Sequence, residues 1–214
     1  ASDIVDWSDV ERTVAEGKLL GDLAHERIPR FVECFATDGE RAMPAARFTE
    51  TFVELEGPPE EGARLPSLVL VRAFVEGESI EEAIARRRRF ASADLVRVAR
   101  SLFEIVAFLH ELHPPIALGE LARSSVVIDA AGAAHLVDVG VALRNGATAA
   151  GPSDGDRARD VARAADMVVA LAGGEAASSS LPKELAAAVA VARARAKDSS
   201  PNPAREVLAA LDAP

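Results

Sequence analysis

Beyond Gly77 the hydrophobic pattern, until then mainly strand-like, becomes helical almost to the end, and that change points to an α+β arrangement. Before Gly77, strand-like runs cover residues 28–36, 47–55 and 68–75, and the sequence Glu56-Gly57-Pro58-Pro59-Glu60-Glu61-Gly62 forms a turn between the second and third. Ahead of them a helix is expected over residues 8–23, with Ser8 as N-cap and Glu11 at the capping-box position. After Gly77 apolar residues recur at three and four, which predicts helices over residues 79–88, 92–112, 156–171, 181–196 and 203–211. The longest carries Leu95, Val98, Leu102, Ile105, Val106 and Leu109 on one face and ends at Pro114-Pro115, where proline removes an amide donor and its ring clashes with the preceding turn. A short hairpin is expected from Val126 to Ile128 and from Ala134 to Val137 across Gly132, and a loop of small residues over 146–155.

Charge and cysteine content narrow the function. The 214 residues carry a net charge of −10, the opposite of what a phosphate-backbone binder needs, so nucleic acid is excluded as a partner. The dense basic run Arg86-Arg87-Arg88-Arg89 is read as the solvated end of a helix rather than a dock for an acidic partner. Cys34 is the only cysteine, which rules out a disulfide framework and a thiolate metal cage and fits a reducing, cytoplasmic setting. No apolar run reaches membrane-spanning length and Ala1-Ser2-Asp3 does not open a signal peptide, so no membrane partner is expected for this chain. His110 and His113 stand three apart at a helix end without a third ligand nearby, and no Gly-x-Ser-x-Gly supports a hydrolase triad.

The stretch from Pro114 to Gly140, with Leu118-Gly119-Glu120-Leu121-Ala122-Arg123-Ser124-Ser125 followed by a hairpin and Asp138-Val139-Gly140, resembles the catalytic core of eukaryotic-type bacterial Ser/Thr protein kinases. The family's step of five from catalytic aspartate to metal-binding asparagine runs here from Glu120 to Ser125, and its further step of thirteen reaches Asp138. Other stretches are similar in order. Leu23 to Phe31 is similar to the link from the regulatory helix into the fourth strand, and Val69 to Ile80 to the fifth strand, hinge and next helix. Leu109-His110-Glu111-Leu112-His113-Pro114-Pro115 is similar to the end of the helix before the catalytic loop. Asp160-Val161-Ala162 matches the start of the helix after the activation region, and Ala196-Lys197-Asp198 with Arg205 to Leu208 the last two helices. The resemblance implies one kinase-like domain: a reduced N-lobe over residues 1–73, of one helix and about three antiparallel strands, on a mainly helical C-lobe over residues 74–214.

It also implies lost chemistry. Glu120 places its carboxylate more than ~1 Å from where aspartate would, and a shift of that size can cost about a hundredfold. Ala122 replaces the lysine that neutralises the transferring phosphate, and Ser125 replaces the metal-binding asparagine. Asp138 survives as a candidate metal ligand. Glu16 matches the glutamate that pairs with the strand-three lysine, but that lysine and a Gly-x-Gly-x-x-Gly loop are absent; Lys18 is no substitute, and Arg72 stands at the gatekeeper of an adenine pocket that should be apolar. No Ala-Pro-Glu precedes Asp160, its arginine partner is Asn202 or missing, and only ten residues, Ala172 to Leu181, precede the next long helix. The expectation is a catalytically inactive pseudokinase of bacterial type. It has no catalytic residues and no ATP or Mg²⁺ cofactor, and acts as a regulatory or protein-interaction module, with self-association or an unidentified protein as partner and Phe48, Phe52 and Phe74 as candidate surface. Two alternatives stay open: an atypical phosphotransferase or nucleotide sensor using Asp138 and Glu120, and the C-terminal part of a longer kinase-like protein.

Overall fold

The structure, a computed structural model, describes residues 21, 23–37, 42–44, 67–119, 121–138, 153–195 and 202–213. Outside them lie the expected helix over residues 8–23 except Gly21 and Leu23, the strand over 47–55, and most of the loop over 146–155. Glu16, Lys18, Phe48, Phe52, Glu120, Val139, Gly140 and residues 196–198 also lie outside the described residues. The described residues form an α+β fold with two small antiparallel sheets, and the chain divides into two compact units: residues 1–24 with 29–74, and residues 25–28 with 75–214.

The first unit holds a three-stranded sheet in the order β2-β1-β3, from β1 (Phe31–Thr37), β2 (Ala42–Pro44) and β3 (Ser67–Arg72). β1 pairs antiparallel with both neighbours, and its register against β3 slips between Phe31 and Glu33. Val32, at that irregularity, is half exposed. β1 starts at Phe31 rather than at the expected Ile28, because Pro29 has no amide to donate to a ladder and residues 26–28 form a turn. β2 has only three residues, too few for alternation to announce it.

The second unit is mainly helical. β4 (Glu78–Ser79) leads into α1 (Ile80–Ala85), which is followed by α2 (Ser92–Glu111), a 3₁₀ turn at Arg123–Ser125, and the hairpin β5 (Val126–Ile128) and β6 (Ala134–Leu136). Then come α3 (Asp154–Leu171), a 3₁₀ stretch at Glu175–Ser180, α4 (Lys183–Arg195) and α5 (Pro203–Asp212). The expected helical face of α2 is its core face: Leu95, Val98, Leu102, Ile105, Val106 and Leu109 are all buried, against α3, α5 and β6. Local chemistry sets the helix starts. Ser79 with Glu82 and Ser153 with Asp156 form capping boxes, in which each serine hydroxyl accepts the N3 amide and the N3 carboxylate accepts the cap amide. Asn202 caps α5 by accepting the Arg205 amide at 3.2 Å.

One buried hydroxyl ties the hairpin to the central helix. Ser101 Oγ accepts the Ala134 amide at 2.8 Å and lies 2.9 Å from the Arg97 carbonyl, to which it donates. The segment 25–28 joins this unit through bonds the sequence does not announce. The Arg27 carbonyl accepts from the Leu136 amide at 3.0 Å, its guanidinium meets Glu104 at 2.5 Å, and the His25 ring lies 4.7 Å from Phe108. His25 Nδ1 accepts the Arg27 amide at 3.1 Å, so it carries no proton.

Burial holds the His25 imidazole below its usual range, and the neighbouring Arg27 guanidinium adds to the effect. Because the folded value is the lower one, the unfolded chain binds more protons between the two. The stability tied to His25 is complete above about pH 6.5 and is lost as pH falls through the folded value. Urea midpoints at about pH 8 and about pH 5 should therefore fall less in His25→Asn than in the wild type. An equal fall in both proteins would remove His25 as a source of the acid sensitivity.

Candidate functional site

The described chemistry-bearing residues meet where the turn after α2 runs beneath the start of α3. Leu118 and Gly119 donate their amides to Asp160 Oδ2 and Oδ1 at 2.6 and 2.9 Å, and His110 Nε2 lies 3.0 Å from Oδ2. Asp160 and the His110 ring are fully enclosed. A buried carboxylate is stable only when its oxygens are satisfied, and these three partners converge from a helix end and from a turn more than forty residues upstream. Gly119 takes the left-handed region with φ +62°, a backbone shape glycine enters without strain. The arrangement fixes the backbone of the loop that leads to positions 120, 122 and 125.

Beyond that anchor the loop runs through Leu121, buried, and Ala122, half-buried and at the N-cap of the 3₁₀ turn. Ser125 ends the turn, its amide donating to the Ala122 carbonyl at 3.1 Å and its carbonyl accepting from Val137 at 2.8 Å. That second bond closes the hairpin and sets Ser125 beside the residue preceding Asp138. Two of the positions marked by the sequence are thus neighbours through backbone hydrogen bonding. Ser125 is buried, only 6% exposed. Asp138 is half-buried, two residues beyond β6. Across the hairpin, Asp129 Oδ2 lies 2.8 Å from His135 Nε2 and Asp129 Oδ1 accepts the Ala133 amide at 2.9 Å. These bonds overcome the upward push of burial and hold the Asp129 carboxyl below the usual carboxylate range.

The two helix-end histidines are not brought together: His110 is buried against Asp160 and His113 is exposed. Among the described residues no group of three or more His, Cys, Asp or Glu side chains is placed to hold a metal ion. Asn202 donates its amide to Glu111 Oε1 at 2.8 Å while Arg205 grips both oxygens of the same carboxylate at 2.7 and 2.8 Å. The hydrogen bond from Arg205 holds the Glu111 carboxyl below its usual range and joins the end of α2 to the start of α5. Arg72 closes β3 opposite Phe31, half-buried, and Phe74 is 90% exposed.

Sequence reasoning marked Asp160 only as a helix start and missed its role. The signal was present, for Asp160 is in phase with Ala164, Met167, Val168 and Leu171 on the apolar stripe of α3, and a carboxylate on a buried stripe needs partners. Among the described residues no helix is long and apolar enough to cross a membrane. Comparison of the chain with models of known protein families and with curated proteins gave no match.

Proposed function

We propose that this chain is a catalytically inactive kinase-like module that works by binding other proteins or regulating them, without ATP or Mg²⁺. The observation that carries the reading is a loop held firmly in place while its chemistry is missing. Asp160 clamps Leu118 and Gly119, and the hairpin sets Ser125 beside Val137-Asp138, yet Ala122 supplies only a methyl and the buried Ser125 only a short hydroxyl. Phosphoryl transfer depends on positioned cations and metal ligands more than on covalent chemistry by the protein. An anchored backbone without them keeps the scaffold and loses the reaction.

The test is thermal unfolding of the chain titrated with ATP and with ADP, each with Mg²⁺ or Mn²⁺. The expected result is an unchanged midpoint. A site with a dissociation constant near 10 µM would add about 2.7 kcal/mol at about 1 mM nucleotide, which the melting curve would register. A metal-dependent rise lost in Asp138→Ala would overturn the cofactor-free reading. Transfer of labelled γ-phosphate to protein, abolished by Glu120→Ala, would overturn the inactive one.

A further inference from the structure

The four-arginine run does more than end a helix. Arg86 is the C-cap residue of α1, Arg87 takes a left-handed backbone with φ +52°, and the chain then turns so that Arg87, Arg88, Arg89 and Phe90 form one wall of a groove of about 740 Å³. The opposite wall is the C-terminal end of α3 with the turn Ala172-Gly173-Gly174, and the floor is apolar, including Ala83, Ile84 and Leu171. The Arg88 guanidinium stacks over the Phe90 ring at 4.7 Å and reaches Glu78 at 3.2 Å, which holds it on the rim.

Charge at this rim is unbalanced. Glu78 serves both Arg86 and Arg88, and no described carboxylate pairs with Arg87 or Arg89. The acids nearest the far wall are already engaged, because Arg193 binds both Asp166 and Glu175. At the end of α3 the carbonyls of Val168, Val169 and Ala170 are occupied, accepting the amides of Ala172, Gly174 and Gly173. A cationic rim over an apolar floor therefore survives on a chain whose net charge is −10, and the remaining charge is screened beyond about 8 Å at physiological salt.

We propose that this groove docks an acidic peptide segment of a partner protein, with an apolar side chain seated on the floor and flanking carboxylates on Arg87 and Arg89. The shape excludes the other polyanions. A bilayer is flat and does not reach a recessed floor, and a free phosphate finds no converging backbone amides here, only mobile side chains that suit several spaced carboxylates. The site is built without the loop between Leu118 and Asp138, so it stands or falls separately from the kinase-like reading.

The probe is a fluorescein-labelled peptide, Glu-Glu-Leu-Phe-Glu-Glu, titrated with the full chain and followed by fluorescence anisotropy. Saturable binding is expected, weakened at least about tenfold by Arg87→Glu with Arg89→Glu and by a rise in salt from about 50 mM to about 500 mM. The charge-neutral pair Arg87→Gln with Arg89→Gln should weaken it by less, and both double variants should retain the circular dichroism of the wild type. Should the reversed pair fail to fold, the neutral pair and the salt series decide. No saturation below about 1 mM chain, equal binding of a peptide with glutamine for glutamate, or binding insensitive to the arginines would overturn the proposal. So would stronger association with phosphatidylserine vesicles than with the peptide, lost in the same double variant.

Discussion

Asp160→Ala is expected to destabilise the helical unit by about 4 kcal/mol, read as a lower urea midpoint with an unchanged slope. The carboxylate is fully buried, and its removal strands the Leu118 and Gly119 amides and His110 Nε2 at once. Each abandoned buried partner costs about 1–3 kcal/mol. Asp160→Asn keeps one acceptor oxygen and turns its amide toward a donor, so about half of the loss is expected. Amide exchange gives the specific readout, because Leu118 and Gly119 should lose protection in Asp160→Ala while the amides of α4 keep theirs. A variant within about 0.5 kcal/mol of the wild type, with those two amides still protected, would contradict the anchor.

Gly77→Ala should cost about 3 kcal/mol, an unusual loss at an exposed position. The backbone at Gly77 is not left-handed, so conformational strain is not the reason. A Cβ there would fall on the Ile128 carbonyl oxygen, 2.9 Å from the Ile128 carbonyl carbon and 2.7 Å from Val127 Cγ1. Two of those atoms are backbone of β5, the strand that β4 pairs with through Glu78 and Ile128. Relief requires β4 to leave the sheet, and that would move Ser79 from its cap on α1 and Glu78 from Arg86 and Arg88. Gly174→Ala isolates the other effect. It has φ +82° and ψ −168°, a region essentially reserved for glycine, and no neighbour within 4 Å, so only backbone strain of about 1–3 kcal/mol is expected. A cost below about 0.5 kcal/mol for Gly77→Ala, measured by chemical denaturation, would show that the close approach to β5 does not matter.

The helices were legible because their rules act within one or two turns. Periodicity placed α2 to within a residue of its ends, and the helix expected over residues 79–88 begins one residue before α1, which stops at Ala85. Pro114-Pro115 marked the stop after α2. The α+β class followed from the change of period at Gly77, since each period is a property of neighbouring residues. The candidate site was legible only as spacing along the loop: it picked out Ser125 and Asp138, which the hairpin makes neighbours, and passed over the residue that holds the loop in place.

What the sequence by itself determined, then, is where this chain coils, where it extends and where it must turn. Only the tertiary structure decided which distant groups meet. Two residues of β4 carry no period, and they are a strand solely because Val127 and Ile128 arrive beside them. Asp160 is a clamp because a turn about forty residues earlier passes under it, and the arginine run borders a groove because the far end of α3 lies across from it. Such partners are set by the closure of the chain around a shared core, where burial forces each polar group to find its bond, and no rule acting over a single turn contains that information.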